Sequence, residues 1–357
     1  MPVEGFWAVV PAGGAGTRLW PVSRAGSPKF LHDLTGTGST LLRATVDRLT
    51  PLAGEQVMVV TGAAHVDAVR AQVGFLPEGA VIAEPSPRDS MAAIALAAAF
   101  IERRDPEAVI GSFAADHVIP DGDAFRAVVV EAIEVATSGY LTTIGIEPTG
   151  PATGFGYVHM GPPLEGFPTA RHVRQFVEKP DAQRAAAYLS TGEFRWNAGM
   201  FVVRATTLLD LLAEHHPDLA RGVRDIAQDP QRLGAIWPTL TKIAIDHAVA
   251  EPAADAGRVV VVPGPFRWDD VGDFASLAQI LPSDGPLTVV GDDADVLAVD
   301  ASGLAMPHPG RLMALVGVDD IIVVDTPDAV LVVAKDRAQD VKAVVDALKE
   351  RGATDLT

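Results

Sequence analysis

A glycine-rich segment followed by two basic residues is the first part of the sequence with evident chemical potential. Residues 9–31 read VVPAGGAGTRLWPVSRAGSPKFL. Glycines let backbone N–H groups approach phosphate oxygens closely, and Arg18 and Lys29 add positive charge. We predict a strand ending at Val10 and a helix start beyond the glycines, which places the loop where α/β proteins bind ligands. The segment predicts a polyphosphate site; the alternative is a tight turn without a ligand.

Two common phosphate-loop motifs do not fit this segment. A Walker loop requires Gly-Lys-Ser/Thr, and no lysine follows Gly16. The dinucleotide fingerprint requires a third glycine where Leu19 stands, which disfavours a nicotinamide oxidoreductase. Pro21 and Pro28 are expected to hold the segment in a defined extended path.

Two aspartates follow predicted strands and are candidates for a metal site. Asp116 lies in GSFAADHVI, and Asp270 lies in FRWDDVGDF. A polyphosphate substrate needs a divalent cation, and carboxylate oxygens suit magnesium. A cap or turn role is the alternative for either residue, and the neighbouring Asp269 remains a possible ligand. We predict that Asp273 caps the following helix.

Three further segments carry polar or small residues suited to binding a hydroxylated ligand. In FVEKP, Glu178 and Lys179 are predicted to lie on opposite faces of a short strand. TGFGYV and WNAGMFV contribute Gly156, Asn197 and Gly199. A salt bridge and ordinary turns are the structural alternatives.

Composition excludes several classes of function. The chain has 28 basic and 46 acidic residues and a net charge of -18, which argues against nucleic-acid or anionic-membrane binding. There is no cysteine, so disulfides, zinc thiolates and cysteine nucleophiles are excluded. No signal segment or apolar run of roughly 20 residues is visible, so we expect a soluble cytoplasmic protein.

The order of apolar runs and amphipathic patterns predicts an α/β fold. Strands are expected at 6–10, 57–60, 80–83, 109–113 and 141–146, with helices at 41–49, 65–73, 90–103 and 124–137. This alternation predicts a mostly parallel sheet flanked by helices. Short strands should follow residue 150, with helices at 181–190, 205–215 and 273–281. Turn residues at 281–287 predict a boundary between a domain at 1–281 and a small β domain at 282–357, which closes with a helix at 337–351.

The glycine segment GGAGTRLWPVSRAGSPKFL resembles the signature of sugar-1-phosphate nucleotidylyltransferases. Its Leu-Trp-Pro-x-Ser-Arg form resembles the mannose-1-phosphate guanylyltransferase branch, and the family pattern recurs along nearly the whole chain. The resemblance implies a Rossmann-like, mixed and mostly parallel sheet of the nucleotide-diphospho-sugar transferase type. It also implies the substrates GTP and mannose 1-phosphate, Mg²⁺ or another divalent cation, and a product pair of GDP-mannose and diphosphate.

The resemblance assigns roles residue by residue. Arg18 and Lys29 would be catalytic, and Asp116 and Asp270 would bind the metal. The remaining residues divide into a nucleotide-binding set, Gly13, Gly14, Gly16, Thr17, Glu84, Pro85 and Arg88, and a sugar-phosphate-binding set, Gly156, Glu178, Lys179, Asn197 and Gly199. We expect substitution of Lys29 by alanine to affect kcat far more than folding.

The segment EPSPRDSMAAIALAAAF resembles the family's nucleotide-base segment but departs from it. Asp89, Ser90, Met91 and Ala92 stand where Asn, Thr, Ala and Pro are usual, so a nucleotidylyltransferase using UTP, dTTP or ATP, or glucose 1-phosphate, remains an alternative. A catalytically silent sugar-nucleotide-sensing subunit is a second alternative. The C-terminal β segments resemble the family's short β tail, for which we expect packing and homodimer formation. A second, isomerase activity is not expected.

Overall fold

The computed structural model describes residues 1–14, 16–283 and 285–357. Ala15 of the glycine segment and Asp284 of the predicted boundary turn lie outside the described residues. The chain divides into two compact units, each built from several segments. The first unit contains Met1–Ala12, Thr45–Ala115 and Ile119–Trp268, and the second contains Gly13–Ala44, Asp116–Val118 and Asp269–Thr357.

The first unit contains one large sheet and most of the helices. Its strands are β1 (Phe6–Ala12), β2 (Val57–Gly62), β3 (Val81–Glu84), β4 (Val109–Ser112), β5 (Leu141–Ile146), β6 (Gly156–Pro163), β7 (Arg171–Val177), β8 (Phe194–Arg204) and β9 (Val259–Gly264). Its helices are α1 (Leu41–Ala53, which begins in the second unit), α2 (Val66–Val73), α3 (Asp89–Arg104), α4 (Gly122–Thr137), α5 (Ala182–Thr191), α6 (Ala205–His215), α7 (Pro217–Gln228), α8 (Leu233–Ile236) and α9 (Glu251–Asp255).

The strand order of this sheet is β3-β2-β1-β4-β8-β5-β9-β7-β6. The pairs β3–β2, β2–β1, β1–β4 and β5–β9 are parallel, whereas β8 runs antiparallel to β4, β5 and β6, and β7 runs antiparallel to β6 and β9. The predicted mixed α/β sheet is confirmed. The predicted mostly parallel character holds for the N-terminal half and for the pair β5–β9, whereas the 11-residue strand β8 enters between β4 and β5 in the opposite direction.

The parallel pair β1–β4 determines where two candidate segments leave the first unit. Phe6 pairs with Val109, and the alignment continues beyond the end of β4, where the Ala115 N–H donates to the Pro11 carbonyl at 3.0 Å. The chain leaves this unit after Ala12 and after Ala115, so the glycine segment and Asp116 both begin at the carboxyl ends of neighbouring parallel strands.

Helix α3 forms the centre of the main core. Its residues from Met91 to Ala99 are all buried, and they belong to one cluster with buried side chains of α6 and α7 and of the sheet. Removing this much apolar surface from water stabilises the unit at about 25 cal/mol per Å². The Ala, Ile and Leu run of this helix therefore serves core packing.

The second unit contains a smaller sheet with two helices. Its elements are β10 (Leu287–Val289), β11 (Val296–Met306), β12 (Met313–Asp325), β13 (Val330–Ala334), α10 (Phe274–Ile280) and α11 (Val341–Glu350). The strands β10, β11 and β12 pair in parallel and β13 is antiparallel to β12. One core joins Leu19 and Trp20 of the glycine segment to Val341 and Val345 of α11. This packing holds the glycine segment against the C-terminal helix.

Two predicted features of the second unit change in the structure. The glycines lead into a 3-10 turn, Thr17–Leu19, and not into a helix, so a helix dipole adds little to this loop. The closing helix begins at Val341, after a 3-10 turn at Lys335–Asp340, and not at residue 337. The Asp273 cap is confirmed: its carboxylate accepts a hydrogen bond from Ser276 N at 2.9 Å within a capping box. Within the described residues, no helix combines the length and apolar character that a membrane crossing requires.

Candidate active site

The glycine loop requires glycine at two of its positions. Gly14 and Gly16 have φ of +85° and +58°, in the left-handed region that L side chains rarely adopt. At Gly16 space is limiting as well, because a Cβ would lie 3.0 Å from Lys29 Cγ and 3.0 Å from Ser23 Oγ. The bare backbone of Gly16 therefore allows the Lys29 side chain to lie directly against the loop.

Replacing Gly16 by alanine is expected to disturb both the loop and Lys29. The left-handed φ costs about 1–2 kcal/mol for an L residue, and the new methyl group would displace Lys29, so kcat/KM should fall at least about tenfold. Urea unfolding and steady-state kinetics measure the two effects. Gly26→Ala is the control, because Gly26 lies in the same segment with open space around its Cα and no positive φ. Equal behaviour of the two variants would contradict the requirement for glycine at position 16.

Lys29 lies at the centre of a small polar cluster in the second unit. It begins the 3-10 turn Lys29–Leu31, and its side chain is only 11% exposed. Its ammonium is 3.0 Å from Asp116 Oδ2 and donates hydrogen bonds to the carbonyls of Asp270 at 2.7 Å and Val271 at 3.1 Å. One lysine thus joins the two aspartates that the sequence proposes as metal ligands.

The surroundings shift the pKa values of the two aspartates in opposite directions. Burial opposes ionisation of Asp116, but the positive charges of Lys29 and His117 and the Lys29 hydrogen bond outweigh it and lower the pKa of Asp116. For Asp270, burial together with the neighbouring carboxylates of Asp269 and Asp116 outweighs the opposing charge of Lys29 and raises the pKa to about 6. Burial also raises the pKa of Asp269, whose carboxylate accepts the Val271 N–H at 2.6 Å. The positive charge near Asp270 is therefore too small to offset the cost of ionising its buried carboxylate.

A divalent cation fits the donor set around Asp270. Mg²⁺ is commonly held by one or two carboxylates with substrate phosphates and water, and not by a complete protein cage. In the part of the chain that the structure describes, no group of three or more His, Asp or Glu side chains could hold a metal. Asp116 and Asp270 supply the two carboxylates, and a cation would compensate the unfavourable ionisation of Asp270. The residues present fit magnesium that is shared with a phosphate ligand.

These side chains border one cavity of about 360 Å³ within the second unit. The structure brings together all of the predicted catalytic and metal residues and the predicted glycine-loop residues. The lining residues are Gly13, Gly14, Gly16, Thr17, Arg18, Lys29, Asp116, Asp270, Gly272 and Lys342. Sequence reasoning missed Lys342, because it lies in an amphipathic helix more than 300 residues from the loop and belongs to no motif.

The predicted nucleotide-base residues lie in the first unit, where β3 turns into α3. Glu84 ends β3, Pro85 follows it, and Arg88 directly precedes α3. Burial raises the pKa of Glu84 to about 7, and within the described residues its Oε2 is buried without a hydrogen-bond partner. Arg88 donates to the Pro238 carbonyl at 2.6 Å, while its Nε is likewise buried without a partner in that part of the chain. The turn thus contains two buried polar atoms that have no hydrogen-bond partner in the described residues.

Asp89 departs from the usual Asn of the family in a way that preserves the backbone. Its φ is +65°, a left-handed conformation that Asn and Asp adopt more readily than other non-glycine residues. Its carboxylate accepts the N–H of Ser90 at 3.0 Å. The substitution therefore keeps the turn and adds a negative charge.

The predicted sugar residues also come together in the first unit. Asn197 on β8 donates to Asp246 at 2.7 Å and accepts hydrogen bonds from Thr143 Oγ1 at 3.2 Å and from Gly199 N at 3.1 Å. Gly156 leaves room for Glu178, because a Cβ there would collide with Glu178 Oε2. Burial and the charge of Glu178 raise the pKa of Asp246, which sequence reasoning missed because it stands in no motif.

The prediction that Glu178 and Lys179 point to opposite faces of a strand is wrong. Strand β7 ends at Val177, and Lys179 has a φ of +46°, so the alternation of a strand no longer applies. The two side chains form an ion pair instead, with Lys179 Nζ 3.0 Å from Glu178 Oε1. The hydrogen bond that Lys179 donates to Glu178, with the charges of Glu178, Asp246 and Asp89, raises the pKa of Lys179. Lys179 is therefore a cation in an acidic environment.

Comparison with protein families agrees with this architecture. A family model described as Nucleotidyl transferase matches residues 7–284, and one described as MannoseP isomerase/GMP-like beta-helix domain matches residues 294–348. Because the first match spans most of the chain, the chain belongs to the nucleotidyl transferase family and is a nucleotidyltransferase enzyme. The expected C-terminal β domain is confirmed by the second match.

Individual relatives indicate the branch of this family to which the chain belongs. It is 38% identical over 97% of its length to the mannose-1-phosphate guanylyltransferase of Escherichia coli strain K12 and covers 74% of that protein. It is 38% identical over 98% of its length to the xanthan biosynthesis protein XanB of Xanthomonas campestris, again covering 74%. A crystal structure described as mannose-1-phosphate geranyltransferase from Thermus thermophilus is 32% identical, covers 97% of this chain and 100% of its own, and has a TM-score of 0.88. Within its family, the chain belongs to the mannose-1-phosphate guanylyltransferases.

Proposed function

We propose that this chain converts GTP and α-D-mannose 1-phosphate to GDP-mannose and diphosphate. The observation that carries the proposal is the cluster in which Lys29 joins Asp116 and Asp270 beside the glycine loop. The names of the relatives support the choice of substrates. We also propose a catalytic domain at residues 1–281 and a small β domain at 282–357.

In this reaction no side chain needs to act as a nucleophile. A phosphate oxygen of mannose 1-phosphate attacks the α-phosphorus of GTP in line, the new P–O bond forms, and the bond from the α-phosphorus to the bridging oxygen breaks. The electron pair leaves with diphosphate. The protein contributes orientation and charge stabilisation, which are the main terms in phosphoryl-type transfer.

In this proposal, different residues bind the phosphates, the metal, the sugar and the base. The N–H groups of Gly13, Gly14 and Gly16 would cradle the triphosphate, and Arg18 and Lys29 would stabilise the charge that develops on it. Asp116 and Asp270 would hold Mg²⁺, which supplies neutralisation of phosphate charge when bound. In the first unit, Glu178 and Asn197 would bind sugar hydroxyls and Lys179 the sugar phosphate, while the turn from Glu84 to Arg88 would contact the base.

The homodimer and the cytoplasmic location expected from the sequence belong to the proposal as well. Apolar side chains on the C-terminal strands support the dimer, because five of them in the described residues are more than half exposed: Leu297, Val299, Val316, Val330 and Val332. Such a surface is typical of a contact between proteins.

A substrate grid tests the proposed reaction. Diphosphate release is measured for the purified chain with GTP, UTP, dTTP and ATP, each combined with mannose 1-phosphate and glucose 1-phosphate, with and without Mg²⁺. We expect the highest kcat/KM for GTP with mannose 1-phosphate and at least a hundredfold loss when EDTA removes the metal. Preference for another pair would replace the proposed substrates, and no turnover of any pair would favour a silent sensing subunit.

A further inference from the structure

The cavity beside the glycine loop has a wall formed by the C-terminal helix. Val341 and Val345 of α11 are buried in the same core as Leu19, which follows Arg18 in the chain. Trp20 strengthens this attachment, since its Nε1–H donates to the carbonyl of Leu356 at 2.7 Å. The packing brings Lys342, at the start of α11, to the cavity.

The cations around this cavity differ in whether their charges are already paired with other groups. Lys29 is buried and already bound to Asp116 and to two carbonyl groups. Arg18 and Lys342 are exposed, and neither forms an ion pair with any residue that the structure describes. Two cations thus border the cavity with their charges available to a ligand.

The position of Lys342 in its helix gives it no evident role in stability. It is the second residue of α11, near the positive end of the helix dipole, where a cation is disfavoured. The basic residue that would favour this helix is Lys349, in its last turn. A cation at the unfavourable end of the helix, bordering a phosphate-type loop, indicates a function in binding an anion.

We propose that Lys342 binds the β- and γ-phosphates of the nucleoside triphosphate, which leave as diphosphate. This inference rests on the proposed function and assigns part of the phosphate site to the C-terminal domain. Lys29, buried against Asp116 and the Asp270 backbone, is placed for the reacting α-phosphate, whereas the exposed Lys342 is placed for the phosphates that extend away from it. Charge-assisted contacts to phosphate are among the strong hydrogen bonds of proteins.

Kinetics of Lys342→Ala, Lys342→Arg and Lys349→Ala test the assignment. For Lys342→Ala we expect the KM for GTP, and the KM for diphosphate in the reverse reaction, to rise about tenfold, which corresponds to about 1.4 kcal/mol. The KM for mannose 1-phosphate should change less than about twofold, and Lys342→Arg should recover most of the loss. Lys349→Ala removes the same charge from the same helix and should behave as the unsubstituted protein. Unchanged KM values for GTP and diphosphate in Lys342→Ala would overturn the proposal.

Equilibrium binding separates this inference from the proposed function. Titration calorimetry with GTP and with inorganic diphosphate, in the presence of Mg²⁺, needs no turnover. If the unsubstituted chain turns over no substrate pair but binds diphosphate more tightly than Lys342→Ala, the proposed reaction fails and the role of Lys342 stands. If it turns over GTP while Lys342→Ala binds both ligands equally well, the role of Lys342 fails and the reaction stands. If the unsubstituted chain binds neither ligand, both are overturned.

Discussion

Substitution of Lys29 by methionine is expected to lower kcat by about 10²–10³, the range found when one preorganised donor is removed from a charged transition state. Methionine retains an apolar side chain against Gly16, which Lys29 Cγ approaches closely, and removes only the charge and its hydrogen bonds. KM should change less than kcat, because the charge on the phosphates is largest in the transition state.

Replacing Lys29 should also lower the stability of the folded protein, an effect that the sequence alone did not indicate. Lys29 is 11% and Asp116 18% exposed in their side chains, so removing the lysine leaves a mostly buried carboxylate without its cation. We expect the free energy of unfolding to fall by up to about 3 kcal/mol, measured by urea denaturation at pH 7.5.

A second variant separates the catalytic from the structural contribution of Lys29. In Lys29→Met with Asp116→Asn, no unpaired charge remains, so stability should recover by more than half while activity stays low. Lys335→Ala, which removes a partly exposed lysine whose Nζ lies 3.7 Å from Asp320 Oδ1, is the control and should retain both activity and stability. Full activity in the purified Lys29→Met variant would refute the catalytic role.

Replacing Asp270 by asparagine is expected to abolish activity and yet stabilise the protein at neutral pH. Burial raises the pKa of Asp270 to about 6, above the value of about 3.9 for an unperturbed aspartate. The folded state therefore binds a proton more tightly than the unfolded state. The stability contributed by this proton is complete below about pH 4 and is lost as the pH rises through 6.

Asparagine does not ionise, so the variant does not lose stability as the pH rises through 6. At pH 7.5 the metal-free Asp270→Asn variant should be more stable than the unsubstituted protein by about 1–3 kcal/mol, and the difference should shrink at pH 4.5. Its kcat should fall at least about a hundredfold, because one of the two proposed magnesium carboxylates is missing. Urea denaturation in EDTA at both pH values and kinetics over a range of Mg²⁺ concentrations measure these effects.

Asp300→Asn is the matched control for Asp270. Asp300 is an exposed carboxylate of the same unit with a φ of +52°, a conformation that asparagine also adopts. Its substitution should change neither the pH dependence of stability nor activity. If Asp270→Asn retains activity, or if it is less stable than the unsubstituted protein at pH 7.5, the assignment of Asp270 to a buried metal site is wrong.

Local signals were sufficient for much of the fold. Strand β5 and helix α6 begin and end at the predicted residues, because a continuous apolar run and an amphipathic repeat are properties of neighbouring residues. The Asp273 cap was predicted for the same reason, since its partner Ser276 is three residues away. The direction of β8 depends on strand pairing across the sheet, and no local pattern encodes it.

Residue types and their spacing were enough to identify the chemistry of this protein: a glycine loop with Arg18 and Lys29, two aspartates after strands, and the family to which these motifs belong. How those groups are paired depends on the folded arrangement. The Lys29–Asp116 ion pair, the raised pKa of Asp270 and the arrival of Lys342 at the glycine loop all depend on contacts between residues far apart in the chain. Charge pairing and burial are properties of packed neighbours, and packing brings together residues that no spacing along the sequence relates.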